Sequence, residues 1–368
     1  MRTVVVAMDK FKGSATAEQV CASVCQGIAD ASLEWACHQV PLADGGDGTV
    51  AALVRAGWMA RPVTVIDAQG MPVTAAVATH QSTVVVELAD ICGIARWQGE
   101  LKPWHAHTTG LGIAIRQQIE AGVRDIVIAV GGSASTDGGL GVLTGLGFRV
   151  TDEDGNEVPP GLGGLRSAVN IEFPDDIALL RSCEWTVLVD VDAPLCGAEG
   201  AARRFGPQKG LSHVEVLEAD ALLDEWDGLL ARVSGRRVGR MAGVGAAGGV
   251  AAPLAAIFNA HLESGFDYVA GQIHLERSLA EADLVITGEG RVDGSSLTGK
   301  VVGKVVSMAA RHDVAAVVVA GSVADDVREV LGGSVISLVD IAGSVERSMT
   351  DPTGYLRRVG RLIAEGDY

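Results

Sequence analysis

Ile126-Val127-Ile128-Ala129-Val130-Gly131-Gly132-Ser133-Ala134-Ser135-Thr136-Asp137-Gly138-Gly139 is the stretch that decides the fold. An unbroken apolar run passes straight into a loop of four glycines, three hydroxyls and one carboxylate. A run of that length without alternation suits a parallel strand buried on both faces. Similar runs stand at 3–7, 63–66, 83–88, 186–191, 284–287, 315–320 and 335–339. The segments between them have helical spacing. Thr16 and Gln19 have the spacing of a capping box ahead of Val20, Val24 and Ile28, and Leu111, Ile115 and Ile119 repeat the stripe. Strands alternating with helices predict an α/β architecture, in which loops leaving the carboxyl ends of strands build the binding site.

The 368 residues favour two compact lobes over one. Hydrophobic residues at 48% and charged residues at 20% are enough for a packed core. A net charge of −17 and only 4% aromatics argue against nucleic acid, which needs a basic face and stacking platforms. The six cysteines contain no CxxC pair and read as reduced thiols of a cytoplasmic protein. The uncharged run 241–262 holds Pro253, Asn259 and His261 and few large apolar residues, so no membrane span is expected.

Three loops carry the chemistry. In 131–139, glycines bring backbone N–H groups close to a ligand, a geometry that suits phosphate; Asp137 would hold Mg²⁺ directly or through water. The same string also reads as a plain strand-to-helix turn. In Ala43-Asp44-Gly45-Gly46-Asp47-Gly48-Thr49, two carboxylates three residues apart can converge on a hard cation or a lysine, or Asp47 and Thr49 can simply cap a helix. In Thr287-Gly288-Glu289-Gly290-Arg291-Val292-Asp293-Gly294, continuing to Gly299-Lys300, Arg291 and Lys300 are phosphate clamps beside Glu289 and Asp293, or members of a charged, solvated turn. Val301 occupies the hydroxyl position of a Walker A loop, so that motif is excluded. Gly243-Val244-Gly245-Ala246-Ala247-Gly248 follows no hydrophobic strand and is read as close packing rather than as a dinucleotide fingerprint.

Taken in order, the strings resemble the type I glycerate kinase family. They begin with Asp9-Lys10-Phe11-Lys12-Gly13-Ser14 and Ala43 to Thr49, then Gly131-Gly132-Ser133-Ala134 before Asp137. Asp190-Val191 before Pro194-Leu195, Phe205-Gly206-Pro207-Gln208-Lys209-Gly210, the 243–249 glycines and 287–300 complete the set. Ser135-Thr136 stands where the family has Thr-Asn, and Gly112 to Ile115 lacks a carboxylate found there.

The resemblance implies two lobes: a Rossmann-like parallel-sheet lobe from both chain ends, expected at 1–75 and 282–368, and an inserted α/β lobe at 76–281, with the active-site cleft between them. It implies ATP- and Mg²⁺-dependent phosphorylation of D-glycerate, 2-phosphoglycerate being favoured over 3-phosphoglycerate. Another small hydroxy acid as substrate and a non-catalytic regulator are the alternatives, and a homodimer is left open. Asp190 is expected to take the proton from the attacking hydroxyl, with Lys12 and Arg291 balancing charge on the phosphoryl group or the carboxylate. Asp44, Asp47 and Asp137 are the Mg²⁺ candidates. Asp9, Ser14, Gly131, Gly132, Ser133, Lys209, Glu289 and Lys300 are expected to bind substrate or phosphate.

Overall fold

The structure, a computed structural model, describes residues 2–297, 300–331 and 335–366. The chain opens on β1 (Arg2–Met8), the helix Ala17–Ala31 and β2 (Trp35–Gln39). It continues through β3 (Met59–Ile66), β4 (Pro72–His80), β5 (Thr83–Glu87) and β6 (Asp125–Ala129). Then come β7 (Arg149–Thr151), β8 (Asn170–Glu172), β9 (Glu184–Leu188) and β10 (His261–Glu263). It closes with β11 (Leu284–Val292), β12 (Ala315–Val323), β13 (Val335–Ser337) and the helix Pro352–Glu365. Two compact units result: Met1–Asp44 with Phe266–Tyr368, and Gly45–Gly265.

In the unit of the chain ends, five strands run parallel in the order β13-β12-β11-β1-β2. Residues of β1 alternate between two cores. Val4, Val6 and Met8 pack with Val20, Val24 and Ile28 of Ala17–Ala31 and with Leu356, Val359 and Ile363 of Pro352–Glu365. Val5 and Ala7 turn the other way, to Phe266, Leu275, Leu279 and Val305. Covering both faces explains why the run has no polar break. The expected capping box forms: Thr16 Oγ1 accepts from the Gln19 amide at 3.2 Å, and Gln19 Oε1 accepts from the Thr16 amide at 3.0 Å.

The inserted unit is built on a mixed sheet of order β10-β9-β6-β5-β4-β3. Its β5-β6-β9-β10 part is parallel, while β3-β4 and β4-β5 are antiparallel. β7 and β8 form a separate antiparallel pair. The core runs from Val84, Val86, Ile126 and Ile128 to Leu111, Ile115 and Ile119, the stripe read from the sequence.

Three expectations are corrected. Residues 63–66 form the end of β3, an antiparallel edge strand whose Met59, Arg61, Pro62 and Thr64 are exposed, not a doubly buried parallel strand; an edge tolerates a proline that a central strand would reject. The strand expected to stop at 287 continues to Val292, so Glu289 and Arg291 lie on β11. The lobe limits at 75/76 and 281/282 become 44/45 and 265/266. β3 pairs along its whole length with β4, which ties 45–75 to the inserted sheet. The helices Gly265–Gln272 and Leu275–Ala280 bring Phe266, Ala270, Leu275 and Leu279 into the core with Val5 and Val285. All six cysteines are free thiols. Among the described residues no helix is long and apolar enough to cross a membrane.

Candidate active site

In the unit of the chain ends, the loop after β1, the residue Asp44 beyond β2 and the ends of β11 and β12 gather at the carboxyl edge of the sheet. Asp9, Lys12, Ser14, Asp44, Glu289 and Arg291 line a cavity of about 350 Å³ there. Asp9 is buried; its Oδ1 accepts from the Lys10 amide at 2.7 Å. The Lys10 ammonium lies 3.6 Å from Asp9 Oδ1 and 3.6 Å from Asp44 Oδ1. Burial pushes the Asp9 carboxyl up to about 7, with Lys10 opposing and Asp44 adding to the rise. Burial also raises Glu289, against a hydrogen bond from Ser296 and the charge of Lys300. Glu289 Oε1 is buried without a partner. Ser14 closes the loop, its hydroxyl donating to the Phe11 carbonyl at 3.1 Å. Lys12 and Arg291 are exposed and make no ion pair among the described residues. Lys300 is exposed at the start of the helix Val301–Arg311, while Gly299 of its motif lies outside the described residues. Lys10, quoted in the motif without a role, is the cation the sequence reading missed; its only signal was adjacency to Asp9.

In the inserted unit, the carboxyl ends of β5, β6, β9 and β10 bring Glu87, loop 131–139, Asp190 and Ser264 to the same edge of the sheet. Gly131 lies against Gly46: a Cβ on Gly131 would come within 2.6 Å of the Gly46 Cα. Only glycine permits that approach. The loop is pinned along its length. The Ile94 amide donates to the Gly132 carbonyl at 2.9 Å, the Ala134 amide to the Cys92 carbonyl at 3.0 Å, and Trp226 Nε1 to the Gly138 carbonyl at 2.8 Å. The Gly138 amide donates to the Gly248 carbonyl at 2.9 Å, so the 243–249 glycines serve close packing, as expected. The amides of Gly131, Gly132 and Ser133 donate to no other group among the described residues. Asp190 is exposed beyond β9, and its Oδ1 accepts from the Ser264 hydroxyl at 3.2 Å.

Two buried charges have other tasks than those expected. Asp137 Oδ2 accepts from the Thr108 amide at 2.9 Å, the Thr108 hydroxyl at 2.8 Å and the Gly141 amide at 3.2 Å; Oδ1 accepts from the Gly139 amide at 3.2 Å. With both oxygens engaged and no exposure, this carboxylate organises the loop instead of facing Mg²⁺. Lys209, 3% exposed, donates to the Ser135 carbonyl. Burial pushes its ammonium down to about 8, with Asp137 opposing. Asp44 belongs to the unit of the chain ends and Asp47, exposed, to the inserted unit. Among the described residues no group of three or more histidine, cysteine, aspartate or glutamate side chains stands ready for a metal. Thr108 and Glu87 are the residues missed; neither lies in a glycine-rich string.

The class these units define is that of α/β enzymes whose strand-end loops receive small anionic ligands. Residues 4–366 match the model of the glycerate kinase family, and the chain belongs to that family. It is 34% identical to glycerate 2-kinase of Escherichia coli strain K12, over 98% of this chain and 97% of that protein. It is 31% identical to a glycerate kinase of Halalkalibacterium halodurans, over 99% and 98%. The crystal structure of a protein assigned as glycerate kinase 2 from Salmonella typhimurium LT2 superposes with a TM-score of 0.81 at 33% identity, covering 99% of this chain and 98% of that one.

Proposed function

We propose that this protein transfers the γ-phosphoryl group of ATP to D-glycerate, giving 2-phosphoglycerate in preference to the 3-isomer, in the cytoplasm. Family membership over nearly the whole chain is the observation that carries the reading. The amides of Gly131, Gly132 and Ser133, which have no acceptor among the described residues, support it, because phosphate oxygens are acceptors that such a loop lacks. So do Lys12 and Arg291, two exposed cations with no carboxylate partner among the described residues, suited to the substrate carboxylate or to charge on the phosphoryl group. The free cysteines fit a reducing compartment.

In this reading the acceptor hydroxyl oxygen bonds to the γ-phosphorus as the bond to the ADP oxygen breaks, and Asp190 takes the hydroxyl proton. Ser264 orients the Asp190 carboxylate by its hydrogen bond. Asp44 and Asp47 are the carboxylates left that would hold Mg²⁺. A kinase Mg²⁺ commonly takes one or two carboxylates plus substrate phosphates, so their fit does not need a preassembled cluster. Bound there, the ion would neutralise phosphate charge.

The placement of Asp9 favours a second assignment of the base: it lines the cavity of the chain-end unit 3.6 Å from the Lys10 ammonium, and burial pushes its carboxyl up, toward the range of a general base. Replacing each in turn separates the two. Asp190→Asn is expected to lower kcat by about 10²–10⁴-fold with a normal fold, the range of a lost general base. Near-normal turnover in Asp190→Asn with loss in Asp9→Asn would move the role to Asp9.

A further inference from the structure

We propose that Glu87 is a positioning residue that fixes the turn after Gly45 and so presents the Asp47 carboxylate for phosphoryl transfer; the inference rests on the role given to Asp47 above. Glu87 ends β5 and is 4% exposed. Its Oε1 accepts from the Gly48 amide at 3.0 Å and its Oε2 from the Val50 amide at 2.9 Å. A two-point hold of this kind sets both the position and the rotation of the turn. The Thr49 hydroxyl donates to the Gly46 carbonyl at 2.7 Å, and Gly46 is seated against Gly131. Residues 46, 48, 49 and 50 are therefore each held, and Asp47, which they flank, is exposed.

A helix start that needs only stability is capped on the spot by serine, threonine or aspartate. The helix Thr49–Arg55 has Gly48 at that position with no side-chain cap, and takes its acceptor from another strand. That choice is costly: burial pushes the Glu87 carboxyl up to about 7, and the charges of Asp47 and Asp90 add to the rise. What it achieves is registration. β5 pairs with β6, so the carboxylate ties the Asp47 turn to the strand end next to the one that launches the 131–133 amides.

The test is a double-mutant cycle with full-length protein, D-glycerate, ATP and Mg²⁺. Glu87→Gln can accept only one of the two amides and is expected to lower kcat about tenfold or more, with the KM for glycerate within about twofold. In an Asp47→Asn background the same change is expected to cost nothing further, because the two act as one unit. Glu87→Asp, which keeps the charge on a shorter arm and guards against misfolding, is expected to fall between, with the same silence in the Asp47→Asn background. Hydrogen exchange without substrates is expected to show faster exchange at the Gly48 and Val50 amides in Glu87→Gln. Equal losses in both backgrounds, unchanged kcat in Glu87→Gln, or unchanged exchange at both amides would overturn the proposal. Wild-type turnover in Asp47→Asn would overturn it through its premise, whereas no turnover in the unaltered protein would instead remove the kinase reading itself.

Discussion

Lys209 sits in the core of its unit with one carbonyl as its hydrogen-bond partner, so its charge costs stability. Its ammonium is pushed from 10.5 down to about 8, and the unfolded chain therefore binds more protons than the folded one between those values. Stability attributable to this residue thus rises as the pH climbs from about 8 to 10.5, and below 8 the full cost, roughly 3 kcal/mol, is present. Lys209→Met should remove that rise: unfolding midpoints measured from about pH 7 to 10.5 should show a smaller gain than in the unaltered protein. The same variant should lose about 10- to 100-fold in kcat, because loop 131–139 loses its tether at Ser135. A lowered midpoint with unchanged kcat would mean that the lysine serves the fold alone. At this scale the sequence announced which residues matter better than what they do. Asp137 and Lys209 stand in recognisable strings, but whether a carboxylate meets a metal or four donors depends on chain segments far away, here Thr108. Glu87 carries no local mark at all, since a glutamate closing a valine run acquires its task only when the 45–49 turn folds onto it.

Among the elements, the helix pair Ala17–Ala31 and Pro352–Glu365 joins the two ends of the chain by direct backbone contact. A Cβ on Gly27 would stand 1.9 Å from the Arg357 carbonyl oxygen, and one on Gly360 2.2 Å from that of Val24. Alanine normally favours a helix over glycine by about 1 kcal/mol, yet here the backbone it meets has no rotamer to yield. Gly360→Ala should therefore destabilise by about 1–3 kcal/mol, the usual cost of overpacking. Gly228, inside the helix His213–Ser234 with nothing within 4 Å of its would-be Cβ, is the control: Gly228→Ala should stabilise by up to about 1 kcal/mol. Denaturant unfolding of both variants checks the pair, and the same sign in both would contradict this packing. Parallel strands were legible because burial on both faces leaves long valine and isoleucine runs, as in β1 and β6. β4, with Pro72, Thr74 and His80 at its exposed positions, and β2, half-exposed and mixed in character, leave no such run.

The molecule as a whole is acidic, with a net charge of −17, yet it handles anions; local arrangement has to overcome the global field. In the proposed reading, that arrangement comes from exposed Lys12 and Arg291 and from the amides of Gly131, Gly132 and Ser133, none of which has a partner among the described residues. The α/β class was readable from alternation, whereas the unit boundaries were not. No composition change marks 44/45 or 265/266, and the antiparallel pairing of β3 with β4 that assigns 45–75 is a long-range fact. Phosphorus NMR of the unaltered protein with D-glycerate, ATP and Mg²⁺ tests the central claim most directly. The predicted result is loss of the γ-phosphate signal of ATP with the appearance of ADP and 2-phosphoglycerate; an unchanged ATP spectrum, with no phosphoglycerate of either kind, would contradict it.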